Sequence, residues 1–317
     1  MQFPGPAKPP TGIVFDSGMD KIDDALALAM LHGFEGRDEA RIAAVGISRP
    51  DLKAAQFCDA VRLFYAGAAG LSGGFTRALP VGLAEGRSGG ASAMWNAPVR
   101  ATVVKSISDT AEVTTLYRNA LTAQHDRNAV VVLSGPATNL AKLLDVYGIK
   151  DLIAHKIKVL SAAVGAFSDA SPEPNIKADI SAARRVFAEW PTPIVAAGYE
   201  IGAALPFPAA SIDKDFSWSS AHPVADAYRA YRPAPYDAPS WAMAAMLYAV
   251  LPAESCFRLS EPGTITVQDD GRTRFAAAVE GKHRYLILDP DQKEHIIRIY
   301  TEIASARPVE RKRKSAK

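Results

Sequence analysis

The stretch Ile13-Val-Phe-Asp-Ser-Gly-Met-Asp-Lys-Ile-Asp-Asp-Ala-Leu-Ala-Leu28 decides the fold. Its apolar start, Ile13-Val14-Phe15, reads as a buried strand that stops at Asp16, and Ala25 to Leu31 reads as an apolar helix opened by Asp23 and Asp24. A short loop with Gly18 and Asp20 joins them. Asp16, Asp20, Asp23 and Asp24 therefore crowd into nine residues at a strand-to-helix turn. Carboxylates that close repel one another unless something positive lies among them. The helix N-terminus supplies part of that charge. A bound divalent cation would supply more, and hard cations such as Ca²⁺ prefer carboxylate and carbonyl oxygens. Asp23 as a helix cap and Asp24 as a dipole partner would explain two acids; four point to a site.

Outward from this turn, strand and helix alternate to about residue 200. Arg41 to Ile47, Ala129 to Leu133, Lys158 to Val164 and Pro193 to Ala197 are short apolar runs, continuous rather than alternating. That is the pattern of strands buried on both faces of a parallel sheet. Helices are expected from Asp51 to about Ala66, from Asp109 to about His125, over 140–146, and over 181–189 with Asp179 as the cap. Beyond residue 220 the order changes: helices near 222–231 and 239–250, then antiparallel strands at Thr264–Val267, Thr273–Val279 and Tyr285–Leu288, and a last helix over about 292–304. The expected fold class is α/β, an open, mainly parallel Rossmann-like sheet flanked by helices, with a small antiparallel C-terminal element. No repeat or linker divides the chain, so residues 1–317 read as one domain, with 1–10 and 307–317 as disordered tails. Residues 67–98, rich in Gly, Ala and Ser, read as a loop over a pocket.

Composition narrows the function. The formal net charge is +2, but residues 311–317 hold five Lys or Arg and no acid; without them 31 basic residues face 34 acidic ones. A body this close to neutral argues against a nucleic-acid surface. No apolar stretch is long enough to span a membrane, and the Pro-rich start shows no signal-peptide core. Two cysteines in 317 residues suit a reducing compartment, so a cytoplasmic location is expected. The six histidines show no metal-ligand spacing.

In open α/β sheets, ligands bind beyond the carboxyl ends of the strands. The loops there carry the four aspartates, then Ser48 and Arg49, then Ser134, Thr138 and Asn139, then Ser168, Asp169, Glu173 and Asn175, then Glu200. Such a crevice is acidic and rich in hydroxyls. It lacks the glycine-rich sequences that cradle phosphate, and suits a cation together with a neutral polyhydroxyl ligand such as a sugar.

Four segments carry a resemblance. Val14-Phe-Asp-Ser-Gly-Met-Asp-Lys-Ile-Asp-Asp-Ala-Leu-Ala-Leu28 resembles the N-terminal fingerprint of the nucleoside hydrolase family, an Asp-x-Asp followed by Asp-Asp-Ala-x-Ala-Leu. Leu133-Ser-Gly-Pro-Ala-Thr-Asn-Leu-Ala141 is similar to its Gly-Pro-Leu-Thr-Asn segment. Glu173-Pro-Asn-Ile-Lys-Ala-Asp-Ile-Ser-Ala-Ala183 resembles its Glu-Phe-Asn segment, and Tyr236-Asp237 stands where the family has His-Asp before an apolar helix. The resemblance implies an inosine-uridine preferring N-ribohydrolase, in which a Ca²⁺-activated water cleaves the N-glycosidic bond of a ribonucleoside. Carried over by position, it implies Asp16, Asp24, the Thr138 carbonyl and Asp237 as metal ligands, and Asp23, Glu173 and Asn175 as sugar contacts. Asp16 or Asp20 would take the water's proton and Tyr236 would stand at the leaving base. A homodimer or homotetramer is expected, with a small riboside and neither nucleic acid nor membrane as partner.

The match has departures. Asp16-Ser17-Gly18 breaks the Asp-x-Asp, so the family's second aspartate, the usual metal ligand and base, is replaced by Gly18. Tyr236 replaces a histidine and, with an ordinary pKa near 10, is a poorer acid. Ser48-Arg49 replaces Gly-Asn. The alternative reading is a non-catalytic relative that binds a ribosyl ligand and has lost the metal site.

Overall fold

The computed structural model describes residues 9–68, 80–86, 92–168 and 171–309. Strand β1 (Thr11–Ser17) leads into α1 (Ile22–Gly36), and β2 (Ala40–Ile47) into α2 (Leu52–Ala68). After β3 (Val81–Leu83), β4 (Ala111–Glu112) leads into α3 (Val113–Thr122). Then β5 (Ala129–Ser134) precedes α4 (Thr138–Leu143) and α5 (Ile149–Lys156), and β6 (Ile157–Ala162) precedes α6 (Pro174–Ala178) and α7 (Ile180–Glu189). After β7 (Ile194–Ala196) come α8 (Tyr199–Ala204), α9 (Ala209–Lys214), α10 (Pro223–Tyr231) and α11 (Trp241–Val250). The chain closes with β8 (Phe257–Leu259), β9 (Gly263–Val267), β10 (Thr273–Ala277), β11 (His283–Leu288) and α12 (Lys293–Ala304).

The strands form one sheet in the order β10-β9-β11-β7-β6-β5-β1-β2-β3-β4, with β8 paired to β11. Every neighbouring pair from β11 through β7 to β4 is parallel, while β9 pairs antiparallel with β10 and β11, and β8 antiparallel with β11. This is the expected mainly parallel sheet with antiparallel strands at its C-terminal end. One detail differs: β11, expected within the antiparallel element, joins the two parts by pairing parallel with β7.

β1 lies inside the sheet, between β2 and β5, and all seven of its residues are buried. Strand alternation sends successive side chains to opposite faces. Ile13 and Phe15 pack with the residues of α1, α10, α11 and α12, while Val14 packs with α3, α4, α5 and α7. α1 and α11 are apolar almost all round, as a helix enclosed by others must be. α12 lies close on α1: a Cβ on Gly33 would fall 2.1 Å from the Ile303 carbonyl oxygen, so only glycine fits there.

Half of the expected loop over 67–98 lies outside the described residues, but Val81–Leu83 forms the buried strand β3, parallel to β2. The expected disordered tails also lie mostly outside the described residues. The helix expected from Asp109 starts later, at Val113. Glu112 caps it by accepting from Thr114 N and Thr115 N, while Asp109 closes a separate turn with Ser106.

Candidate active site

The turn from β1 to α1 is held from several sides. Ser17 Oγ accepts from Met19 N at 2.9 Å, Trp95 Nε1 donates to the Met19 carbonyl at 2.9 Å, and Ser92 Oγ donates to the Asp20 carbonyl at 2.7 Å. Met19 takes φ 48°. A left-handed backbone at a non-glycine residue is uncommon and collects at functional turns. Gly18 is overlaid by charged groups: a Cβ there would lie 2.6 Å from Asp20 Oδ1 and 3.3 Å from Arg49 Nε. The space of the missing second aspartate is thus taken by an ion pair, Arg49 Nε to Asp20 Oδ2 at 2.9 Å.

Asp23 and Asp24 enter buried with the first turn of α1. Asp23 Oδ2 accepts from Ala242 N at 2.9 Å, a free donor at the start of α11. Asp24 Oδ1 accepts from Ser134 Oγ, at the carboxyl end of β5, at 2.7 Å. Its Oδ2 accepts from Lys21 N at 3.3 Å. Burial, and after it the charge of Asp23, raises the Asp24 carboxyl to about 8; burial also raises Asp23, against the pull of Lys21.

From the other side comes Asn175. Its Nδ2 donates to the Ala163 carbonyl at 3.3 Å, and its Oδ1 accepts from Lys21 Nζ at 2.9 Å. Glu173, expected at the sugar, is the cap of α6. Both its oxygens accept backbone N–H groups, from Asn175 and Ile176, each at 2.9 Å. Glu173 therefore sets the position of Asn175. Tyr231 is half-buried, and its phenol is raised by burial first, then by the charges of Asp23 and Asp20.

Other expected residues lie elsewhere. Alternation turns Asp16 to the face of Val14, where it is fully buried. Its Oδ2 accepts from Tyr117 Oη at 2.5 Å and from Asn139 Nδ2 at 2.9 Å. Burial raises the Asp16 carboxyl to about 7, against these two hydrogen bonds. Thr138, expected to offer its main-chain carbonyl, donates its hydroxyl to Asp179 at 2.7 Å, a bond that does not involve the carbonyl. Tyr236 is buried and stacked on Tyr228 with ring centroids 4.4 Å apart; its hydroxyl donates to the Tyr228 carbonyl at 2.7 Å. Asp237 is exposed and accepts from Ala209 N at 2.8 Å. Ser168 is exposed, and Asp169 falls outside the described residues.

The structure thus gathers Asp20, Asp23, Asp24, Asn175 and Lys21. It does not gather Asp16, Asp24 and Asp237 around one point: among the described residues no three His, Cys, Asp or Glu side chains are placed to hold a metal ion. The charge that a divalent cation would answer is met instead by Lys21 and Arg49, and two carboxyls next to an ammonium are a poor donor set for Ca²⁺. Lys21 was not among the residues expected at the site, although it stands in the middle of the four aspartates.

The model of the inosine-uridine preferring nucleoside hydrolase family matches residues 13–309. The chain belongs to this family. No curated protein sequence matches it. Among solved structures, a plant nucleoside hydrolase is 18% identical with a TM-score of 0.67, covering 94% of this chain and 100% of its own. The inosine-uridine preferring nucleoside hydrolase of Bacillus anthracis is 15% identical with a TM-score of 0.68, covering 93% and 99%. The type III effector protein XopQ, solved in complex with adenosine diphosphate ribose, is 13% identical with a TM-score of 0.63, covering 95% and 96%. At these identities the likeness is one of fold. This member of the nucleoside hydrolase family carries a buried acid pair at the head of α1, with Lys21 and Arg49 in the same turn region. Among its described residues no helix is long and apolar enough to cross a membrane.

Proposed function

We propose that the protein hydrolyses the N-glycosidic bond of a ribonucleoside or a related N-riboside. The observation that carries this reading is the family match over residues 13–309, whose fingerprint puts Asp23 and Asp24 side by side and buried at the sheet's carboxyl edge. Cleavage of such a bond passes through an oxocarbenium-like sugar attacked by water. Asp23 and Asn175 contact the sugar hydroxyls, with Glu173 holding Asn175 in place. Asp24, whose carboxyl burial brings close to working pH, takes the proton of the attacking water as its O–C1′ bond forms and the bond to the base breaks. Departure of the base has less help. The Tyr236 hydroxyl is committed to a backbone carbonyl, so a leaving group that needs little protonation is favoured.

The test is hydrolysis of p-nitrophenyl riboside against inosine and uridine. Release of p-nitrophenolate at a rate well above that of either base is the expected result. Failure of a folded sample to cleave any riboside would overturn the reading. A second reading, a ribosyl-binding relative without turnover, is favoured by the tie between Tyr236 and Tyr228. It requires that calorimetry detect D-ribose or adenosine diphosphate ribose binding in the absence of any cleavage.

A further inference from the structure

We propose that Lys21 is the resident cation of the ribosyl site: its ammonium stands where a divalent metal would be needed, and while it is there the site takes up no calcium. The assignment of the ammonium's ligand as a sugar rests on the hydrolase reading; the exclusion of calcium does not.

Four observations converge on this. First, the lysine breaks a local rule. It is the residue that caps α1, a position that favours Ser, Thr, Asp or Asn, and it adds positive charge at the positive end of the helix. A residue placed against its own helix is a mark of function. Second, its side chain is anchored far along the chain, with Nζ donating to Asn175 Oδ1 at 2.9 Å, while its own backbone N–H donates to Asp24 Oδ2. Asn175 is fixed in turn by Ala163 and by the Glu173 cap. The ammonium is therefore held in place between α1 and α6.

Third, it is framed by carboxyls without being consumed by them. It stands in the chain between Asp20 and the Asp23–Asp24 pair, and a lysine with an ordinary pKa near 10 is protonated at neutral pH. None of these acids comes within the 4.0 Å of an ion pair, and among the described residues Asn175 is the one side chain that accepts from Nζ. An ammonium carries three N–H donors. Two remain for the oxygens of a ligand, and sugar hydroxyls between the ammonium and the acid pair would satisfy both sides. Fourth, the loop's remaining acid is already matched: Arg49 sits on Asp20 over Gly18, closing the place from which a further carboxylate would reach a metal. A calcium ion entering this frame would meet like charge from both side chains.

The experiment uses calcium chloride alone as the probe, on the full chain, read by isothermal titration calorimetry and by the thermal midpoint. The wild type is expected to show no calcium heat up to millimolar concentration and no shift in midpoint. Lys21→Ala is expected to bind calcium at least tenfold more tightly and to gain stability with it, and Lys21→Gln, which keeps the length of the side chain, serves if the alanine variant folds poorly. Sub-millimolar calcium binding by the wild type, or no gain in either variant, overturns the proposal. A parallel assay of p-nitrophenyl riboside cleavage in EDTA separates the two readings. Turnover that survives EDTA supports Lys21 as the cation, and turnover that is lost to EDTA and restored by calcium overturns it. If no riboside is cleaved at all, the hydrolase reading falls while the calcium titration still decides the role of Lys21.

Discussion

Replacing Asp16 with Asn tests the electrostatics of the buried strand end most directly. The side chain is wholly enclosed, its Oδ2 is bonded to Tyr117 and Asn139, and its Oδ1 has no partner. Burial lifts its carboxyl from 3.8 to about 7. A folded-state pKa above the unfolded value means that the unfolded chain gives up its proton first. The stability contributed by the protonated form is therefore complete below about pH 4 and is lost as pH rises through about 7. Each pH unit crossed between those two values costs about 1.4 kcal/mol, so the loss from this one group between pH 5 and pH 8 is about 2.5 kcal/mol. An asparagine keeps an oxygen for both donors and cannot ionise. Urea unfolding of the wild type and of Asp16→Asn at pH 5, 6, 7 and 8 is the assay. The difference between the two is expected to move by about 2.5 kcal/mol in favour of the variant as pH rises. Two parallel stability curves would show that Asp16 ionises as easily when folded as when unfolded, and would refute the reasoning.

Three further outcomes are expected. Asp24→Ala removes a buried acid of the first helical turn, so its unfolding free energy should change by no more than about 2 kcal/mol, while riboside turnover falls at least about 10²-fold; turnover equal to the parent's would exclude Asp24 from the site. Tyr117→Phe strips Asp16 of its shorter hydrogen bond inside the core and should cost about 1–3 kcal/mol, read from the urea midpoint at pH 7. Gly135→Ala would set a methyl group 2.4 Å from both Gly18 N and Ser48 Oγ. Because one of those atoms is backbone, the strain should reach about 3 kcal/mol or more, with loss of activity as the β1–α1 turn is displaced.

The parallel core was legible because its strands are uninterrupted apolar runs ending in polar turns. Ala129 to Leu133 could be little else, and the apolar helix expected near 239–250 runs over Trp241–Val250. α5 was missed because it buries only Ile149 and Ile153, a single one-turn repeat in a polar segment. β3 was missed because its three residues sit in a Gly-rich surround and owe their conformation to β2 alongside. In the site, the acid pair was legible from the fingerprint. The side to which Asp16 points was decided by strand alternation, and Glu173 was read as a ligand where the structure makes it a cap. Lys21 was overlooked for an instructive reason. Four aspartates demand positive charge, and a metal ion from outside the chain is the ready answer, yet the charge lay between the second aspartate and the third.

The close seat of α12 on α1, at Gly33 and Ile303, has a consequence for synthesis. The helix that carries the acid pair ends at Gly36, but the surface that covers its outer face begins only at Lys293. A nascent chain must therefore hold that face of the helix uncovered while the residues between them are made, when such surface is open to aggregation and to chaperones. A ribosome that stalls before Lys293 would release a chain whose sheet can pair in full, yet whose Asp23 and Asp24 ride on a helix with one side still in water.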